Sequence, residues 1–552
     1  MLLQKSRHGG QAFVGSAKII AGWTLVSRIT GLARDILLNA AFGQTWIQDA
    51  FNYGFLIPNL FRRLFGEGAL SAVFVPNFTE ALHRDGEEAA WQLLGKVLAR
   101  MVAGLTALTF VLEALLLAIW CSRPERAMHQ LILSMTAIML PFMISICIVA
   151  LFSSILNCLG HFGGPAAMSI VLNVCMIAGI VWLAPLTGAD PQIRVYGVAL
   201  SVLAAGVVQL ALIWPMLRGA GVRTPLIWGQ RDATMRAMGS AFVPVILGQG
   251  VLLLSSFLDT QICTFLSRGP SAPPQFQLFG MVFEYPLRAG ALSAVTNAQR
   301  LYQFPLGVLA ISLATAALPT LSMYAAQHNI GGLRTALGRG LRLAVFEGLP
   351  CGMILVVLAE PIIRLLFEHG HYTAEHTQRA AAVLRWYGLG VWAFCLQHVV
   401  LRGYYSLKDT RTPMWIGGGL VILNSAASFA LIWHPQVRER AFGISTSLTA
   451  ILNVLISLWL LRPKLGGLIG GRRLAVSFAR TLAATALAAI AALILHRLLE
   501  GWKPETGRIF NRLVDVFVPI GAAALVYLAV AASLGMEEVR WLLRGSRSGL
   551  SG

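Results

Sequence analysis

The sequence predicts an all-α polytopic membrane protein, with about 14 transmembrane helices in two six-helix lobes plus a C-terminal helix pair. Of its 552 residues, 57% are hydrophobic and only 12% are charged, about half the charged fraction of a soluble globular protein. The apolar residues form runs of about 20, the length that a spanning helix requires. A weak internal repeat relates the two halves. This composition excludes a disordered chain, a coiled coil and an ordinary cytosolic enzyme.

Apolar windows bounded by glycine, proline or charged residues define the candidate helices in chain order. The third and fourth windows are the most apolar, whereas the first, second and eighth carry charged residues. The windows lie near residues 12–42, 46–66, 90–120, 128–158, 164–186, 194–216, 236–267, 277–310, 341–365, 378–405, 412–434, 441–461, 474–499 and 508–535.

The internal repeat consists of Leu172-Asn173 and Leu423-Asn424, each followed by a tryptophan, Trp182 or Trp433, at the same spacing. Repeated halves with a substrate site at their interface are a recurring design of transporters. The repeat therefore favours a transporter of two lobes. The predicted domains are an N-terminal lobe over 1–218, a C-terminal lobe over 219–465, and a helix pair with a cytoplasmic tail over 466–552.

The formal net charge is +19, from 43 Lys and Arg against 24 Asp and Glu. In a membrane protein this excess indicates cytoplasmic loops that face anionic headgroups, rather than a nucleic-acid partner. The distribution of Lys and Arg predicts a multi-pass membrane protein with both termini in the cytoplasm. The last external loop, which includes Arg508 and Arg512, runs against this bias.

Three charged residues interrupt the first apolar window, namely Arg28, Arg34 and Asp35. An arginine at the bilayer centre costs at least about 2.5–3.5 kcal/mol, so such a residue normally faces a cavity or a partner. Arg28 and Asp35 lie seven residues apart and share a helical face, while Arg34 points away from it. Two interpretations stay open: a functional cavity, or an ion-pair network that fixes helix packing.

The second window begins with Asp49 and ends with Arg62, Arg63 and Glu67. The arginine doublet suits either a substrate site or a cytoplasmic headgroup anchor, and Glu67 is placed to pair with Arg63 on the helix surface. In the second half, Arg300 begins a helix that is otherwise uncharged. Because the planar guanidinium group binds phosphate oxygens bidentately, this set of arginines predicts an anionic, phosphate-bearing substrate.

Motifs for other chemistry are absent from the sequence. There is no Walker A sequence, no HExxH and no GxSxG, so we expect a transporter rather than an enzyme, with no cofactor. Asp259 is a lone acid in the seventh window. It predicts either a cation or proton site or an ion pair with a neighbouring helix.

The charged motifs resemble the signature of the MurJ (MviN) lipid II flippases, in the multidrug/oligosaccharidyl-lipid/polysaccharide exporter superfamily. The resemblance covers nearly the whole chain and keeps the order of the motifs. The matching segments are Ser27-Arg28 through Arg34-Asp35, Pro58-Asn59-Leu60-Phe61-Arg62-Arg63-Leu64-Phe65-Gly66-Glu67-Gly68-Ala69, Phe74-Val75-Pro76, Gln299-Arg300-Leu301 with Phe304-Pro305 and Gly307-Val308-Leu309, and Gly403-Tyr404-Tyr405-Ser406 with Asp409 and Thr412-Pro413.

The resemblance implies a flippase that moves lipid II, the undecaprenyl-diphosphate-linked peptidoglycan precursor, from the cytoplasmic to the periplasmic leaflet by alternating access. It implies lipid II, membrane lipids and the cell-wall synthesis machinery as partners, and a C-terminal helix pair that forms a groove for the lipid tail. The substrate-site positions carried over are Arg28, Arg34, Asp35, Asp49, Arg62, Arg63, Glu67 and Arg300.

The chain departs from the family at three places. Gln299 stands where the family often has an acid, and the connection from Ser267 to about Leu292 is long and proline-rich. Some members are thought to bind sodium, and Asp259 with Asn424 would match that site, although Ser428 stands where an acid would help. The coupling ion (sodium, proton or chloride), the peptide variant of lipid II and the oligomeric state stay open. So do two alternatives: an exporter of another polyprenyl-linked saccharide or a drug, and a non-transporting cell-wall scaffold.

Overall fold

The computed structural model describes residues 11–65, 73–122, 127–225, 227–228, 233–270, 272–278, 280–501 and 507–543. The chain divides into two compact units. The first runs to Leu253 and also takes in Arg268–Glu284 and Arg288–Gly290. The second comprises Leu254–Ser267, Tyr285–Leu287 and the chain from Ala291 onward.

Among the residues that the structure describes, the first unit contains nine α-helices, the first part of a tenth and a two-stranded hairpin. The helices are α1 (Gln11–Phe42), α2 (Trp46–Arg62), α3 (Val75–Arg84), α4 (Glu87–Ser122), α5 (Ala127–Met139), α6 (Phe142–Cys158), α7 (Gly163–Ala178), α8 (Ala184–Thr187), α9 (Pro191–Gly219) and α10 (Ala233–Phe265), and the strands are β1 (Gln275–Leu278) and β2 (Met281–Glu284). A π-helical turn, Gly179–Leu183, joins α7 to α8.

The second unit continues from the end of α10. Its helices are α11 (Ala291–Pro305), α12 (Ile311–Ala326), α13 (Ile330–Val357), α14 (Ala359–Phe367), α15 (Ala374–Ser406), α16 (Arg411–Leu431), α17 (Arg440–Lys464), α18 (Gly471–Gly501), α19 (Arg508–Ser533) and α20 (Glu537–Leu543). A second π-helical turn, Leu306–Ala310, joins α11 to α12.

Ten helical segments among the described residues are long and apolar enough to cross a membrane. Most of the predicted windows match observed helices within a few residues at each end. The all-α polytopic fold class is therefore confirmed. The window at 128–158 is interrupted at Leu140 and Pro141, where α5 ends and α6 begins.

The predicted window at 277–310 was wrong. Its first part is the antiparallel hairpin of β1 and β2, in which Phe276 pairs with Phe283. The hairpin turns at Gly280, whose φ of +78° favours glycine, and the helix begins only at Ala291. The window at 341–365 was also misplaced: α13 begins at Ile330, where the Asn329 side chain accepts a hydrogen bond from the backbone N–H of Gly332 at 2.8 Å.

Close helix packing in the second unit depends on glycine. Gly348 and Gly352 on α13 form a G-x-x-x-G pair, which lets helix backbones approach closely in a membrane. A Cβ at Gly352 would lie 2.4 Å from the backbone oxygen of Gly388 on α15, and one at Gly388 would lie 2.8 Å from that of Gly352. This reciprocal contact fixes α13 against α15.

The C-terminal pair α18 and α19 packs on α13 through small residues and is held by ion pairs on α20 and α19. On α20, Glu537 and Glu538 accept hydrogen bonds from the guanidinium group of Arg342 on α13, at 3.0 and 2.6 Å. On α19, Arg512 donates to the carboxylate of Glu368 at 2.9 Å. Arg512 is one of the basic residues of the last predicted external loop, where the charge bias would place few of them, and its ion pair with Glu368 explains its presence there.

The family-like motif around Asp409 joins three helices. The Asp409 carboxylate, between α15 and α16, accepts hydrogen bonds from the backbone N–H of Thr412 at 3.0 Å and from the ammonium group of Lys464 on α17. The Lys464 ammonium also lies 5.5 Å from the ring centre of Tyr404. Partial burial raises the pKa of Asp409, but these hydrogen bonds outweigh it and lower the pKa to about 2.

Candidate functional site

Arg34 is the most buried of the sequence-predicted arginines, with 8% of its surface exposed. Its Nε and Nη2 atoms donate to Oδ1 of Asp35 at 3.0 and 2.6 Å. Its Nη1 atom donates to Oδ1 of Asn173 on α7 at 3.0 Å. The guanidinium group is thus held between one carboxylate on its own helix and one amide on a neighbouring helix.

Asn173 joins α1 to α7 with both ends of its amide. Besides accepting from Arg34, it donates through Nδ2 to the backbone oxygen of Ser27 and to the hydroxyl group of Thr30, both at 3.2 Å. A Cβ at Gly31 would lie 3.5 Å from the Asn173 amide, so α7 approaches α1 at a residue without a side chain. The positions 27, 30 and 34 recur at helical spacing and form one face of α1.

The polar cluster extends from α1 to α2. Asn39 donates through Nδ2 to the backbone oxygen of Asp35 at 2.8 Å, and Gln48 donates through Nε2 to Oδ1 of Asn39 at 3.1 Å. Asn39 and Gln48 are both 1% exposed. Within the described residues, the buried Oε1 atom of Gln48 has no hydrogen-bond partner, so this network is satisfied at all but one of its buried amide atoms. We call Arg34, Asp35, Asn39, Gln48 and Asn173 the buried polar cluster.

Asp49, next to this cluster in sequence, is fully buried and accepts a hydrogen bond from the backbone N–H of Gly290 at 2.8 Å. Gly290 has a φ of +82°, and a Cβ there would lie 2.1 Å from the backbone oxygen of Gln44. Only glycine fits this position, for reasons of both backbone conformation and space. The carboxylate of Asp49 therefore anchors the chain just before α11.

The other predicted site residues are placed differently. Arg62 is half-buried and donates through Nε to Oδ1 of Asn59 at 3.1 Å, and Arg63 is exposed at the end of α2. Arg28 is half-buried, and its side chain makes no hydrogen bond or ion pair with any residue that the structure describes. Arg300 is exposed on α11. Glu67 and its predicted pairing with Arg63 lie outside the described residues.

In the second unit, Asp259 on α10 is 5% exposed and accepts hydrogen bonds from Nδ2 of Asn424 at 3.1 and 3.4 Å. Thr449 donates to Oδ1 of the same amide at 3.5 Å. Within the described part of the chain Asp259 makes no ion pair and is held by the amide of Asn424, and the alternatives for its role stay predictions. A search of the same residues finds no group of three or more His, Cys, Asp or Glu suited to a metal ion.

The internal repeat marks corresponding asparagines in the two units. Asn173 bonds the charged residue Arg34 on α1, and Asn424 bonds the charged residue Asp259 on α10. Sequence reasoning used Asn173 only as a repeat marker and missed its bond to Arg34, whereas it had already grouped Asn424 with Asp259. Asn39 and Gln48 were missed as well, although the spacing of Asp35 and Asn39 by four residues places them on one face of α1.

The comparisons with known proteins agree with one another. A sequence model of the family described as lipid II flippase MurJ matches residues 38–507. The chain belongs to this family. The "Probable lipid II flippase MurJ" of Rhizobium tropici is 30% identical over 535 residues, which cover 95% of each chain. The resemblance expected from the charged motifs is thereby confirmed.

Two solved structures share the fold. A lipid II flippase MurJ in an inward closed conformation superposes with a TM-score of 0.70 at 21% identity, covering 94% of this chain and 99% of that one. A multidrug resistance MATE family transporter of the MOP superfamily superposes with a TM-score of 0.65 at 12% identity, covering 80% and 94%. At these identities the likeness concerns the fold alone. Because the chain belongs to the MurJ family and contains many long apolar helices, it is a multi-pass membrane protein.

Proposed function

We propose that this protein moves lipid II from the cytoplasmic to the periplasmic leaflet by alternating access, with Arg34 as the central diphosphate ligand. Membership of the MurJ family supports the substrate, and the buried guanidinium group of Arg34 is the observation that carries the site. A diphosphate cannot cross hydrocarbon without replacement of its hydration, because burying an unpaired charge is prohibitive. A guanidinium group replaces that hydration with two parallel hydrogen bonds.

The buried polar cluster supplies a way to load and release the substrate. Asp35 carries a negative charge and competes with a diphosphate for Arg34, whereas the neutral amide of Asn173 does not. We infer that the diphosphate displaces Asp35 while Asn173 keeps the guanidinium group oriented. Exchange of one anion for another gives the two states that a transport cycle requires.

The remaining predicted residues are proposed as further substrate contacts and gate positions. The side chain of Arg28 has no partner among the described residues. Unlike Arg34, it can therefore bind a diphosphate without first breaking an ion pair. Asp49 accepts a hydrogen bond from Gly290, and both residues belong to the first unit. The proposed set is Arg28, Arg34, Asp35, Asp49, Arg62, Arg63, Glu67 and Arg300.

The proposed driving force is the membrane potential or an ion gradient, because the sequence contains no Walker A motif. Asp259 with Asn424 is the proposed site for a coupling cation such as sodium. We place the protein in the inner membrane with both termini cytoplasmic, next to the cell-wall synthesis machinery. Replacing sodium by choline should slow lipid II translocation by the wild type. An Asp259→Asn variant should translocate lipid II slowly, and at the same rate in sodium as in choline. A sodium response kept by the variant would contradict the site.

The test of the function measures lipid II translocation in proteoliposomes and complementation of a flippase-depleted strain. Arg34→Ala and Arg300→Ala should lose translocation while their thermal unfolding in detergent stays cooperative. Arg473→Ala, at an exposed position on α18, is the matched control and should translocate normally. Wild-type translocation by Arg34→Ala would refute the site. Growth supported by a variant that lacks translocation would favour the scaffold, and transport of another polyprenyl-linked saccharide in place of lipid II would favour the alternative exporter.

A further inference from the structure

The first unit contains a second potential ligand site, a cavity of about 650 Å³ between α2, the start of α3, α4 and the start of α10. None of the buried polar cluster lines it. Its walls are aromatic and aliphatic, and its size lies in the range of small-molecule sites. The wall residues that matter here are Phe61, Phe65, Phe74, Met101, Met235 and Phe242.

Aromatic contacts and glycines create the space. Phe65 lies edge-on to Phe242, with ring centres 5.5 Å apart, which joins the end of α2 to α10. Gly104 on α4 and Gly239 on α10 both line the cavity, and a Cβ at either position would meet no atom within 4 Å. The cavity therefore exists because these two positions carry no side chain and no neighbouring side chain occupies the space.

The segment before α10 is seated firmly on α4. A Cβ at Gly95 would lie 2.1 Å from the backbone oxygen of Pro225 and 3.3 Å from Cγ1 of Ile227. This close approach, possible only at a glycine, holds residues 225 and 227 against α4. The cavity is thus part of the packed unit.

Two arginines, Arg100 and Arg236, line the cavity, and none of the described residues that line it is acidic. Arg100 donates through Nη1 to the backbone oxygen of Lys96 at 3.2 Å. Arg236 is exposed in the first turn of α10, at the end of a helix that favours anions over cations. An anionic ligand would offset this unfavourable placement.

The cavity continues onto a membrane-facing surface. Leu108 lines the cavity. On the same face of α4, within the two turns beyond Leu108, Val111 and Leu115 are 65% and 54% exposed. An acyl chain that leaves the cavity along α4 would stay on apolar side chains.

We propose that this cavity binds a membrane phospholipid with an anionic headgroup, whose phosphate lies at Arg100 and Arg236 and whose acyl chain packs among the aromatic residues. The pairing of a cationic mouth with an apolar interior matches both parts of such a lipid. None of the described residues that we propose as lipid II contacts lines this cavity. Its failure would leave the proposed function intact.

The test is native mass spectrometry of the full-length protein titrated with phosphatidylglycerol or phosphatidylethanolamine. Arg236→Gln should weaken phosphatidylglycerol binding about fivefold, the effect of one basic residue near an anionic surface, and Gly104→Leu should fill the cavity and weaken it further. Matched controls are Arg473→Gln and Gly417→Leu, since Gly417 also has open space around its Cβ position; both should bind as the wild type does.

Three results would overturn the proposal. Equal binding of the zwitterionic lipid would mean that the arginines do not select the headgroup. Unchanged phosphatidylglycerol binding in both cavity variants would place the lipid elsewhere. Displacement of phosphatidylglycerol by equimolar undecaprenyl diphosphate in the wild type would assign the cavity to the transport path.

Discussion

Replacing Asn173 by leucine tests the buried polar cluster at the residue that sequence reasoning missed. The substitution removes three hydrogen bonds, to the guanidinium group of Arg34 at 3.0 Å and to Ser27 and Thr30 at 3.2 Å. Interhelical hydrogen bonds in membranes average about 0.6 kcal/mol and reach about 1.7 kcal/mol. With the charge-assisted bond at the upper value and the others at the average, the loss is about 3 kcal/mol.

The expected result is a free energy of unfolding in detergent lower by about 3 kcal/mol. Lipid II binding should also weaken, because the guanidinium group of Arg34 loses the amide that orients it. Asn173→Asp isolates the contact with Arg34: its carboxylate still accepts from the guanidinium group but loses the amide donations to Ser27 and Thr30, and it should lock Arg34 and slow translocation. Asn453→Leu, which removes an asparagine bonded to Ser457 on the same helix, is the control. Wild-type stability and translocation in Asn173→Leu would refute the reasoning.

Three further predictions concern residues that stabilise the fold. Gly290→Ala should destabilise the protein by more than about 1 kcal/mol, the cost of a left-handed conformation, with Gly535→Ala, where φ is also positive but space is open, as the milder control in thermal unfolding. The wild type should be more stable than Asp409→Asn above about pH 4, and this difference should disappear as the pH falls toward 2, because the pKa of Asp409 is lower in the folded protein than in the unfolded chain. Equal stability of the two proteins at pH 7 would contradict the pairing with Lys464. Arg512→Gln should increase protease cleavage near residue 507 without changing lipid II affinity, and unchanged cleavage would show that its ion pair does not hold α19.

Apolar composition was sufficient to locate most helices, because a spanning helix requires a long apolar run whatever its neighbours are. It failed at the hairpin around Gly280, where a moderately apolar segment pairs with itself instead of continuing as a helix. It also failed at the start of α13, whose polar first turns are stabilised by the Asn329 cap. Both errors come from local hydrogen bonding that composition does not record.

The charged residues of the site were predictable, since a buried arginine needs a reason, but their partners were not. Arg34 was expected to point away from Asp35 on the helix surface, yet its long side chain bends back to the adjacent carboxylate. Its amide partner on α7 lies 139 residues away in sequence. That contact depends on how α1 packs on α7 at Gly31. The spacing of residues within one helix cannot predict the packing of two helices.

The most direct test of anion exchange at Arg34 is the affinity of purified Asp35→Asn for lipid II, measured beside its translocation rate. If Asp35 competes with the diphosphate, its neutral replacement should bind lipid II more tightly than the wild type and release it more slowly, so that translocation falls. An affinity equal to or weaker than that of the wild type would show that Asp35 does not contend for the guanidinium group, and would contradict the exchange.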